Sequence, residues 1–118
     1  MSEHTTDTHA AHHYETWGAQ TKRITSETPA IAQGFGALFG KVMAPGALDV
    51  KQKELIALGI GMALRCEHCI YAHAEKCVKA GATREEILEV AGVVVMMQGG
   101  PGYVYTPVLL EALDALGA

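Results

Sequence analysis

Cys66-Glu67-His68-Cys69-Ile70-Tyr71-Ala72-His73 gathers two thiols and two imidazoles, and Glu54 lies twelve residues before the first cysteine. Two thiols three positions apart on a helix are neighbours on one face, roughly 5–6 Å apart at Cβ, close to the separation a disulfide needs. Unpaired amides at a helix N-terminus favour negative charge, so a thiol in the first turn is biased towards thiolate, its reactive form. His73 follows Cys69 by four residues, shares its helical face, and can take or give a proton. The chemistry open to this set is dithiol–disulfide exchange assisted by proton transfer.

Plainer readings of the same residues exist. Cys66, Cys69 and His73 would make three zinc ligands, but no second Cys-x-x-Cys or histidine pair follows, so no metal is assigned. Cys77, on the same helical face, reads as a core residue. His68 is either an exposed turn residue or a charge that tunes both thiols, and spacing leaves the two open. Glu54 alone would read as a solvated side chain near a helix N-terminus. An antiparallel hairpin turning near Arg65 would instead bring it alongside His73 and Cys77, where a carboxylate can hold the imidazole in one tautomer.

Only helices are expected to position these groups. The pattern predicts a first short helix over about 15–25, and a second from Thr28-Pro29, a cap followed by a proline in the first turn, to about Met43. Asp49 and Gln52 form a capping box for a third, ending near Leu64. The fourth begins within the cysteine motif and ends at Ala80, with Gly81 in the left-handed position. Thr83 and Glu86 cap a fifth, to about Gln98; after Gly99-Gly100-Pro101-Gly102 a sixth covers about 103–116. Val93-Val94-Val95 is β-branched, yet the cap at Thr83 favours a buried helix, with Gly92 tolerated where another helix packs closely. Gly34-x-Gly36-x-x-x-Gly40 follows no strand and lacks a lysine-serine ending, so close helix packing explains it better than a phosphate loop.

The chain has 118 residues, 49% hydrophobic and 19% charged, with a net charge of −4. That length fits one all-α domain with a real core, and its apolar excess points to burial against other subunits. No basic run suggests nucleic acid, no apolar run is long enough to cross a bilayer, and no secretory signal is evident. Three cysteines without such a signal fit a cytoplasmic protein with reduced thiols. Residues 1–13, with His4, His9, His12 and His13, read as a disordered tail before a domain over 14–118.

Glu54, Cys66, Cys69 and His73, in the pattern Glu-x11-Cys-x2-Cys-x3-His with His68 inside the pair, resemble the active-site signature of the alkyl hydroperoxidase D-like members of the carboxymuconolactone decarboxylase superfamily. Gly46-Ala47-Leu48-Asp49, Lys53-Glu54-Leu55, Gly81-Ala82-Thr83, Glu85-Glu86-Ile87 and Gly99-Gly100-Pro101 resemble its framework, over roughly residues 29–116. The resemblance implies an all-α homo-oligomer, a trimer or a hexamer built from dimers. It implies Cys69 as the cysteine that attacks a hydroperoxide and Cys66 as the one that resolves it, with Glu54, His73 and His68 as the proton relay. The reductant would be a dithiol such as dihydrolipoamide, or a thioredoxin-like protein, and no cofactor is called for. The alternatives are a lactone decarboxylase using His73 and Glu54, and a non-catalytic oligomeric metal-binding or stress module.

Overall fold

Local capping decides where most of the helices begin. A computed structural model describes residues 7–118 and contains α1 (His9–Glu27), α2 (Pro29–Val42), α3 (Val50–Ala63), α4 (Glu67–Lys79), α5 (Arg84–Gln98) and α6 (Gly100–Leu116). Both expected capping boxes are present: the Asp49 carboxylate accepts from the Gln52 N–H and the Thr83 hydroxyl from the Glu86 N–H, each reciprocated by the partner side chain. Gly81 holds the left-handed position after α4, at φ +92°. No strand occurs among the described residues.

Helix α3 packs along α4 as a hairpin, and α5 and α6 close over the other side. The core they share contains Leu58 and Met62 of α3, Ile70, Tyr71, Ala74 and Cys77 of α4, Ile87 and Ala91 of α5, and Leu109 and Leu113 of α6. Each large aliphatic side chain fully buried here contributes roughly 1.5–3 kcal/mol of transfer free energy. Gly61 and Gly102 lie at close helix approaches, the first beneath Cys69 and the second against Val94.

Three expectations need correction. Residues 9–13, expected to be part of a disordered tail, are helical: α1 begins at His9, where the Thr8 hydroxyl accepts from the Ala11 N–H, and Ala10 and His13 are buried. His4 lies outside the described residues. Gly92 faces open space, and so do Gly34, Gly36 and Gly40, so none marks a close packing contact within the chain. Val94 is buried but Val93 is 60% exposed, so only one side of this β-branched run enters the core.

Helix α2 buries no residue, and its packing is chiefly against α1. Ile31, Phe35, Leu38 and Val42, spaced as one helical stripe, are all more than half exposed. Its C-terminal end is tied to the body by the Lys53 ammonium, which donates to the Val42 and Ala44 carbonyls. Among the described residues no helix is long and apolar enough to cross a membrane.

Candidate functional site

The turn between α3 and α4 builds the site. Leu64 ends α3; the Arg65 N–H then reaches back to the Met62 carbonyl and the Cys66 N–H to the Gly61 carbonyl. This pair of bonds is a Schellman motif, whose left-handed position is usually glycine. Here it is Arg65, at φ +53°. The Tyr105 hydroxyl of α6 donates to the Arg65 carbonyl and anchors the turn.

Cys66 is the N-cap of α4, where its sulfur accepts from the Cys69 N–H at 3.3 Å. A disulfide joins Cys66 to Cys69, with the Cα atoms 5.2 Å apart. An i,i+3 pair across the first turn thus closes a bridge while the sulfur remains among the unpaired amides. On reduction, those amides are placed to stabilise a thiolate.

Glu54, 4% exposed in the middle of α3, meets His73 of α4, with Oε1 2.7 Å from Nδ1. An ionised carboxylate only accepts, so Nδ1 carries the proton and Nε2 is left as the base. Phe39, from the end of α2, stacks against the His73 ring at 6.4 Å between centroids and lies under the Lys76 ammonium. Among the described residues, no hydrogen bond joins Glu54 or His73 to either sulfur. The hairpin therefore pairs Glu54 of α3 with His73 of α4, one helical turn beyond Cys69 of the Cys66–Cys69 bridge.

His68 is exposed in the first turn of α4, with its Nδ1 2.8 Å from Nδ1 of His13 on α1. His13 is 3% exposed and stacked on Trp17. Burial, and then the adjacent His68, hold its imidazole below the ordinary histidine value. Nearby, Glu67 accepts from the Tyr71 hydroxyl at 2.7 Å and pairs with His9. The Tyr71 hydrogen bond keeps that carboxyl below the usual carboxylate range. A groove of about 860 Å³ runs beside these groups, bordered by His9, His13, Trp17, Glu67 and His68.

Cys77 is a buried free thiol whose pKa is pushed up to about 12, mainly by burial and then by Glu54. It is an inert core residue by this measure. No group of three or more His, Cys, Asp or Glu side chains converges as a metal-ligand set among the described residues.

Sequence reasoning missed His13, Trp17 and Phe39. Ala10, His13, Tyr14 and Trp17 do recur at helical spacing, but polar neighbours dilute the pattern. Nothing local in α2 indicated that Phe39 would reach His73.

The carboxymuconolactone decarboxylase family profile matches residues 29–116. An uncharacterised protein of Paracoccus denitrificans encoded in a cox locus is 36% identical over 86 residues, covering 73% of this chain and 78% of its own length. A carboxymuconolactone decarboxylase family protein from Legionella pneumophila superposes with a TM-score of 0.79 at 39% identity, covering 92% of this chain and 94% of the relative. Another from Thermotoga maritima, for which a part in the antioxidative response has been suggested, superposes with a TM-score of 0.70 at 33% identity, covering 88% of this chain and 86% of its own. With this helical order and a profile match over most of its length, the chain belongs to the carboxymuconolactone decarboxylase family.

Proposed function

We propose that this protein is a thiol-dependent hydroperoxide reductase that cycles between a Cys66–Cys69 dithiol and disulfide. The observation that carries the reading is the bridge across the first turn of α4, one helical turn from a buried carboxylate–imidazole pair. The Cys69 thiolate attacks the distal oxygen of a hydroperoxide. The O–O bond breaks, the alkoxide takes a proton to leave as an alcohol, and Cys69 becomes a sulfenic acid. The Cys66 thiolate then displaces hydroxide from that sulfur, which leaves as water after protonation, and the disulfide forms. Two electrons pass from the thiols to the peroxide. Glu54 holds His73 with Nε2 free to relay protons, and His68 adds a second imidazole beside the pair. A dithiol such as dihydrolipoamide, or a thioredoxin-like protein, returns the disulfide to the dithiol.

Intact-mass and peptide mapping after one equivalent of an organic hydroperoxide tests this. Rapid formation of the Cys66–Cys69 disulfide with Cys77 free is the expected result; oxidation no faster than a small free thiol would exclude it. Cys69→Ser is expected to abolish turnover, and Cys66→Ser to leave a sulfenic acid at Cys69 that dimedone traps.

The exposed apolar stripe of α2 and the apolar groove between α3 and α5, lined by Ile56, Ile60, Val93 and Met97, support self-association into a trimer or hexamer. Light scattering on the eluting protein measures the subunit count. A cytoplasmic setting, where thiols are reduced between cycles, fits this chemistry.

The Glu54–His73 pair also supports a second reading, proton chemistry on a lactone without the thiols. Carbon dioxide release from a carboxymuconolactone by a protein carrying Cys66→Ser and Cys69→Ser together would establish that activity.

A further inference from the structure

Helix α1 lies wholly before the stretch matched by the family profile, yet it places a buried imidazole on the residue between the two cysteines. His13 is 3% exposed, pinned by Trp17 at 5.1 Å and Tyr71 at 5.1 Å between ring centroids. Such burial fixes the ring, and with it the direction of its Nδ1.

Two Nδ1 atoms 2.8 Å apart can share only one proton, since a second would set N–H against N–H. Neutral, the pair holds one donor and one acceptor at this contact. Singly protonated, it keeps the same bond and carries one positive charge. The exposed His68 ring can be hydrated in its charged form, whereas the enclosed His13 ring cannot. The charge therefore belongs to His68, with its Nδ1–H donating to the His13 Nδ1.

We propose that His13 is a positioning residue for the dithiol: by accepting from His68, it holds the His68 ring against the first turn of α4, between Cys66 and Cys69, so that any proton the pair gains sits there. This rests on the dithiol reading above and extends it to a residue on another helix. In its protonated form, a ring fixed there adds to the helix N-terminus in favouring thiolate. The other groups facing the pair are Glu75, Glu67 and Tyr71 of α4, and Tyr14 and His9 of α1. Glu111 and Tyr105 of α6 act on Tyr71. Burial and His68 hold His13 in its neutral, accepting form, against a smaller opposing effect of Glu75.

The test compares wild type, His13→Phe and His13→Asn in the full-length reduced protein. Phenylalanine keeps an aromatic ring against Trp17 but cannot accept; asparagine carries an oxygen near the position of Nδ1. Alkylation of Cys66 and Cys69 by iodoacetamide is followed by peptide mass between pH 6 and 8, and the His68 ring nitrogens by 15N NMR. Near neutral pH, His13→Phe is expected to alkylate roughly three- to tenfold more slowly than wild type, with His68 becoming a mixture of tautomers. His13→Asn should recover most of the rate and the single His68 species.

A wild-type rate–pH profile together with unchanged His68 nitrogen shifts in folded His13→Phe would overturn the proposal. So would independent titration of the two rings in the wild-type protein, a measurement that needs no variant. Neither readout uses peroxide: a wild type inert to hydroperoxide would remove the peroxidase reading while leaving this test intact.

Discussion

Gly61 of α3 lies directly beneath Cys69 of α4, so close that a Cβ on Gly61 would stand 3.1 Å from the Cys69 Cβ and 3.6 Å from the Ile70 backbone nitrogen. The reactive turn therefore rests on bare backbone, and its height above α3 is set by the missing side chain.

Gly61→Ala is expected to force α4 outwards and to destabilise the protein by about 1–3 kcal/mol, as overpacking of a tight contact does. Gly18→Ala, in the interior of α1 with nothing near its Cβ direction, should instead stabilise it by about 0.5–1 kcal/mol. Urea denaturation of the two variants beside wild type measures both. Equal and small effects would show that α4 does not depend on this approach.

Arg65 sits at φ +53° in the position that glycine occupies after α4 and α6. Arg65→Gly should relieve that strain and raise stability by about 0.5–1 kcal/mol, net of the freer unfolded chain. A rise in the thermal midpoint supports stored strain in the turn before Cys66, and a fall shows that the arginine side chain contributes more than the backbone costs.

Glu54→Gln keeps the size of the side chain but removes the obligate acceptor that assigns the His73 proton. Turnover of hydroperoxide is expected to fall roughly tenfold to a hundredfold, with circular dichroism unchanged. A variant that matches the wild-type rate would take Glu54 out of the relay.

Acid should weaken the fold in two stages. His13 protonates less readily when folded than at its ordinary 6.5, so the unfolded chain binds more protons below that pH and stability falls as the pH drops past it. Glu67 has a folded value below its ordinary 4.5; its contribution is present above 4.5 and is lost as the pH falls through the folded value. Chemical denaturation from pH 8 to pH 3 should show both losses, and His13→Phe should remove the first. A His13→Phe profile with the same drop near pH 6 would assign that loss elsewhere.

The sequence by itself determined what depends on near neighbours along the chain. Asp49 with Gln52 and Thr83 with Glu86 cap their own helices, Gly81 ends its own, and Cys66 and Cys69 fall on one face because three residues nearly complete a turn. The hairpin that pairs Glu54 with His73 was legible for a related reason: a short turn leaves two helices little choice but to run antiparallel. Contacts across unrelated segments were not legible. His13 looked like part of a polar tail until α1 lay across α4, because its burial is supplied by Trp17, Tyr71 and His68 together and by no local pattern. Glycines tell the same story. Gly61 and Gly92 are equally bare in sequence, but only the first meets another helix, since close approach is decided by which faces pack and not by the residue that permits it.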